Sequence, residues 1–341
     1  MKKIFTFCAL LFIVSQNANA KIWRVNNNLG INADFTDLPA AVTAAAAGDT
    51  LMVEASATSY SGPTLTKKLI IIGTGYYFTD AVPNPKTQAN INVANIGAVT
   101  FDPGCAGSVV EGCTTSSIFL NESNVTLQRD NVTDAYVYIA QEDNSVCNND
   151  TIRQNVIYGL RAGTPTGKAT NLLVYNNIFI GSAMQASNVN NISGYFINND
   201  FMYGGALSCE NFTFQNNIFV QASFGSYLSS NSFFNNIADN TGIPTGNGNQ
   251  LSVNLDKVFV GYSSGTGFSS DGRYKLKAGS PAIGAGKLNG VTVDCGAFGD
   301  SAPYVLSGIP SIPSIYVLTV PTSVPSGATS MNITISSTTV H

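Results

Sequence analysis

Histidine is all but missing from this chain: the one copy, His341, is the last residue. That argues against a Ser-His-Asp triad, His-based acid–base catalysis and His-ligated zinc. Charge is scarce as well. Only 11% of residues are charged, with 16 Lys and Arg against 20 Asp and Glu and a net charge of −4. No long run of Lys or Arg occurs, so the basic face that neutralises phosphates is absent and a nucleic-acid partner is not expected. Few charges beside 10% aromatic and 44% hydrophobic residues is the reverse of a disordered composition. The cysteines show no CxxC pair and no metal-ligand spacing, and no metal or other cofactor is expected from them.

What is present begins with an export pattern. Met1-Lys2-Lys3 is positive, residues 4–14 (IFTFCALLFIV) are apolar, and SQNANA ends in the small-x-small run Ala18-Asn19-Ala20. This predicts a signal peptide over residues 1–20 and a secreted, extracellular or bacterial cell-surface destination. Eleven apolar residues fall short of the roughly 20 that cross a bilayer, and no later segment reaches that length, so no membrane span is expected in the mature chain. Cys8 leaves with the signal. Cys105, Cys113, Cys147, Cys209 and Cys295 remain, an odd number that cannot all pair within one chain. Cys105 and Cys113 flank a short Gly-containing loop and are candidates for a bridge. The alternative for these cysteines is packing as small buried residues.

Residues 34–47 (DFTDLPAAVTAAAA) read as a short helix, capped by Thr36 or Asp37, with Pro39 in its permissive first turn and Gly48 at its end. Residues 50–54 and 69–72 read as strands. From about residue 108 to 238 the chain then repeats itself. Copies include Ile152-Arg153-Gln154-Asn155-Val156-Ile157, Val174-Tyr175-Asn176-Asn177-Ile178-Phe179 and Phe214-Gln215-Asn216-Asn217-Ile218-Phe219. The recurring positions Asn155, Asn177, Asn199, Asn217 and Asn236 lie 22, 22, 18 and 19 residues apart. An earlier copy carries Asp130 in the Asn place.

A period near 20 built from short strands predicts an all-β solenoid, specifically a right-handed parallel β-helix with an N-terminal helical cap. The apolar residues three before and two after each Asn should face the core. The Asn should occupy the turn, tolerate the left-handed region and bond to its counterpart one coil away, as a structural ladder. Residues 21–300 are assigned to the β-helix, with residues 274–298 as closing rungs. Residues 301–341, rich in Pro, Ser and Thr, read as a tail, a stalk or an edge addition with two short strands.

Two segments carry a family resemblance. Residues 279–286 (GSPAIGAG) followed by residues 294–299 (DCGAFG) resemble the closing motif of secreted parallel β-helix proteins of the pectin-lyase-like superfamily, bacterial cell-surface type. Residues 34–51, from DFTDL to AGDTL, are similar to the capped entrance of the same group. The resemblance implies the fold and leaves two functional classes open. One is a non-catalytic module for display, adhesion or extended-glycan binding, with polysaccharide or cell-envelope components as partners. Tyr175 is a candidate for stacking on sugar rings, and Tyr60, Tyr76, Tyr77 and Tyr203 are further candidates. The other class is a polysaccharide lyase cleaving acidic polysaccharide by β-elimination, which needs a base and usually Ca²⁺ held by carboxylates. For a lyase the best local set is Arg129, Asp130, Asp134, Asp150 and Arg153, with Arg129 and Arg153 beside the Asn turn of adjacent rungs. The hydrolase branch of the superfamily needs a catalytic His that has no counterpart here.

Overall fold

Short apolar strands alternate with tight polar turns, and this alternation winds the protein into a right-handed parallel β-helix. The computed structural model describes residues 20–182, 184–186, 191–203 and 207–339. Apart from Ala20, the expected signal peptide lies outside the described residues, as does His341. Among the described residues no helix is long and apolar enough to cross a membrane.

Each coil contributes up to three strands, one to each of three parallel sheets of ten, eight and six strands. The coil Thr126–Gln128, Asn131–Val132 and Val137–Ile139 is typical, and the next is Thr151–Arg153, Val156–Ile157 and Leu160–Ala162. Register is in step from coil to coil, so Leu127 pairs with Ile152 and Ile152 with Val174. Like residues therefore stack. Phe179, Phe201 and Phe219 form one column with ring centroids 4.8 and 4.7 Å apart, close to the strand spacing. Phe196, Phe214 and Phe233 form a second, at 4.9 and 5.3 Å. Both columns are buried, and they fill the tube.

The corner between the first and second sheets takes two residues. The first has a left-handed backbone: Gly112, Arg129, Gln154, Asn176, Asn198, Asn216 and Asn235 all have φ between 53° and 70°. The second turns inward. The sequence reading placed both properties on one Asn, whereas the doublet divides them. Gly and Asn suit the left-handed site because Gly lacks a Cβ and Asn tolerates the conformation best of the larger residues.

The helix Leu38–Ala44 covers the entrance of the tube, burying Leu38, Ala41 and Val42 against the first strands. Asp37 caps it by accepting the Ala40 N–H at 3.0 Å. At its other end the Lys67 ammonium donates to the Thr43 and Ala45 carbonyls, where a cation suits the helix dipole.

Beyond Ala238 the chain does not simply add closing rungs. It folds through short 3-10 turns and a hairpin, Gly286–Leu288 with Val291–Val293, and then runs back along the solenoid as a strap. The strap follows the left-handed corner. Asn216 donates to the Lys287 carbonyl, Asn198 to Asp294, Asn176 to Ala297 and Gly299, Gln154 to Ala302 and Pro303, and Arg129 to Ile309. Its apolar side packs on outward residues of the second sheet, with Val156 and Ile178 against Ala297 and Tyr304. Gly296 lies so close to this sheet that a Cβ would meet Asp200 Oδ1 at 2.4 Å. Residues 279–299, the segment with the family resemblance, form much of this return path. A boundary at residue 301 cuts through it, because Tyr304, Ser307 and Ile309 are buried. Only the antiparallel hairpin Ser314–Thr319 with Thr334–Thr338 has the character of an addition.

Candidate functional site

The second sheet lies under the strap, but the third keeps an open face. Outward positions alternate with core positions along each strand. Those of the third sheet line up in register as Thr100, Phe119, Tyr138, Arg161 and Gln185. Phe119 and Tyr138 stack at 4.9 Å with planes 5° apart. Tyr136 and Tyr158, from the turns leading into two successive strands, extend the patch. Tyr136 stands edge-on to Tyr138 at 5.9 Å and to Tyr158 at 5.1 Å. Glycines support both rings from below. A Cβ on Gly159 would lie 3.1 Å from the Tyr136 ring, and one on Gly181 would lie 2.5 Å from the Tyr158 ring.

Polar groups border these rings. The Arg161 guanidinium lies 6.0 Å from the Tyr136 ring centroid, within cation–π range. It is exposed and has no ion-pair partner among the described residues. Gln185 Nε2 donates to Ser182 Oγ at 2.9 Å and reaches Tyr136 Oη at 3.5 Å. Tyr158 is 37% exposed, and Phe119, Tyr136 and Tyr138 are half-buried. The patch therefore offers apolar ring surface, phenolic hydroxyls and planar hydrogen-bonding groups on a rigid sheet. The sequence reading missed it. The available signal was the alternation Tyr136-Val137-Tyr138, with Tyr158 22 residues after Tyr136, but the Asn repeat overshadowed it.

The five anticipated ladder residues form a continuous row. Asn155 Nδ2 donates to Asn177 Oδ1 at 2.9 Å, and Asn177 to Asn199, Asn199 to Asn217 and Asn217 to Asn236 each at 3.0 Å. Asn249 adds a further step at 3.1 Å. It escaped the sequence reading because its turn follows after 13 residues rather than 18–22. The five anticipated carboxamides are buried, Asn249 is half-buried, and all six also donate to a backbone carbonyl of the preceding coil, as Asn177 does to Ile152.

The residues singled out for lyase chemistry face different surroundings. Asp130 and Asp150 point into the core and each accepts one backbone N–H at 2.8 Å, from Cys113 and Val125. Burial raises both carboxyl pKa values, that of Asp150 to about 7. Arg129 is buried and pairs with Glu111 at 3.3 Å. Arg153 is held outside by Gln128 and by Tyr175 Oη, the latter at 2.9 Å. Asp134 is exposed. Arg129 and Arg153 border a common cavity, whose lining includes none of the three aspartates. Among the described residues no group of three His, Cys, Asp or Glu is placed to hold a metal ion.

Of the tyrosines anticipated for ring stacking, Tyr60 and Tyr76 are buried and Tyr77 packs edge-on against Tyr76. Tyr175 is half-buried beside Arg153, and Tyr203 is 66% exposed. The five cysteines from Cys105 to Cys295 are all free and buried, and burial raises each thiol pKa. Cys105 and Cys113 do not bridge, since the strand Val109–Glu111 separates them and spans about 10 Å at roughly 3.3 Å per residue. Comparison of the chain with family models, curated proteins and solved structures gives no match.

Proposed function

We propose that the protein is a secreted or cell-surface β-helix module without catalytic activity, which binds an extended glycan along its third sheet. The observation that carries this reading is the open patch of Phe119, Tyr136, Tyr138 and Tyr158 with Arg161 at its border. Pyranose rings have apolar C–H faces edged with hydroxyls, and they match a surface of rings bordered by phenol, guanidinium and carboxamide groups. Successive coils repeat at the strand spacing, so a linear polymer meets several contacts on one rigid face. Rigidity lowers the entropic cost of binding such a chain.

A glycan-array screen of the full chain, followed by titration of the best ligand, tests the reading. Tyr158→Ala and Arg161→Ala should each weaken binding about tenfold while leaving the melting temperature near that of the parent. Binding untouched by both substitutions, or no glycan bound at all, would refute it. A companion assay mixes the protein with uronate polymers and Ca²⁺ and follows ultraviolet absorbance. A rise would replace this reading with β-elimination of acidic polysaccharide.

A further inference from the structure

We propose that the cavity between the first sheet and the strap is a second binding site, for a ligand bearing several carboxylate or sulfate groups. It encloses about 930 Å³, enough for an oligosaccharide-sized ligand. Four cationic side chains line it, Lys86, Arg129, Arg153 and Lys275, and no Asp or Glu does. The chain as a whole has more acidic than basic residues, so four cations without one lining carboxylate is a local reversal of charge. Glu111 offsets Arg129 from behind, at 3.3 Å. Lys86, Arg153 and Lys275 have no ion-pair partner among the described residues.

The floor of this cavity is built in advance. Arg153 is fixed by Gln128 and Tyr175, which leaves part of its planar donor set for a ligand. Gln154 accepts from Arg129 Nε at 3.1 Å and donates to the strap at Ala302 and Pro303. A second, independent feature points to the same place. In the left-handed corner column, neighbouring coils carry Gly112 and then Asn176, Asn198, Asn216 and Asn235. Only at Arg129 and Gln154 does the column take long side chains that pay no heed to this preference. A non-Gly, non-Asn residue there is strained by the left-handed backbone. Local rules tend to be broken where function requires it. The proposal does not depend on the third-sheet reading, because the two sites share no residue.

Calorimetric titration of the full chain tests it with three probes: trigalacturonate for carboxylates, a heparin-derived hexasaccharide for sulfates, and neutral maltotriose. At least one anionic probe should bind, more weakly as salt rises, since exposed charges are screened. Lys86→Gln and Lys275→Gln should each weaken it about tenfold, and Arg153→Gln at least as much. The lysine variants remove side chains that make no ion pair, so folding is not at stake, and melting curves check the Arg153 variant. Tyr158→Ala should leave the anionic probe unaffected, so failure here is distinguishable from failure of the third-sheet site. The proposal is overturned if neither anionic probe binds, if the lysine substitutions change nothing, or if maltotriose binds this cavity equally well.

Discussion

Each Asn doublet puts two carboxamides to opposite uses, and direction is what separates them. Asn177 points inward, bridges two coils and satisfies a buried carbonyl; Asn176 points outward and holds two carbonyls of the strap. Asn176→Ala should cost about 2–3 kcal/mol, as two hydrogen bonds at roughly 1 kcal/mol each are lost and alanine is forced into a left-handed backbone. Asn176→Gly should cost less, because the backbone strain disappears; equal losses in urea melts would discredit that division. The inner ladder was legible in the sequence because its partner lies one repeat away and the period announces it. The outer role was not, since the partner of Asn176 lies more than 120 residues downstream. Buried carboxyls give a second residue-level expectation. Asp130 replaces Asn in the ladder: Oδ1 accepts from Cys113, while buried Oδ2 has no partner among the described residues, where other coils present an amide donor. Burial raises the Asp130 and Asp200 pKa values too, in the same direction as Asp150, which titrates at about 7 against 3.8 for an unperturbed group. A carboxyl with a raised folded pKa binds more protons folded than unfolded, so stability is fullest below about pH 4 for this contribution and is lost as pH rises through about 7. The melting temperature should therefore fall between pH 5 and pH 8. Asp150→Asn should reduce that slope, and Asp130→Asn should raise stability at pH 8 by about 1–3 kcal/mol. A profile rising with pH, unaltered by either change, would contradict the assignment.

The strap is fastened most firmly at its far end. Glu111 accepts from the Ser311 N–H at 2.8 Å and from its hydroxyl at 3.0 Å, and it pairs with Arg129, which also donates to the Ile309 carbonyl. Glu111→Gln should cost about 3 kcal/mol, because it leaves the Arg129 charge buried and uncompensated. Residues 301–311 should then become cleavable under limited proteolysis while the coils resist; an unchanged digestion pattern would mean that the strap is held elsewhere. A second fastening is the buried network around Asp271, which accepts from Asn84, Ser269, Tyr304 and the Ser307 N–H. This network joins three stretches of chain with no common motif. The helix cap was readable from Asp37 and the alanine run, since capping is local chemistry. The course of residues 279–311 was not, because Gly, Ser and Pro in a closing rung and in a return path look alike until the carbonyl partners are known.

Solenoids usually gain stability from neighbour to neighbour, so their ends can open independently. Here a single segment ties coils from Asn216 back to Glu111, and the contacts it makes span most of the repeat region. Unfolding followed by fluorescence and by circular dichroism should coincide in one transition for the whole chain and separate for Glu111→Gln; separate transitions already in the parent would argue against this coupling. The terminal hairpin stands apart from that economy. No Asp, Glu, Lys or Arg occurs in residues 301–340, and Ile315, Leu318 and Ile335 are exposed on a two-stranded sheet. Such an edge lacks the charges that discourage strand addition, so Leu318→Lys should lower light scattering in concentrated solution without moving the melting temperature. The tie also imposes an order of events in time. A ribosome completes every coil before it makes residues 286–311, so the outward carboxamides must at first bond to water and the second sheet must stay bare. Refolding should accordingly show β-structure ahead of proteolytic resistance at residues 301–311, the last stitch following the cloth it secures.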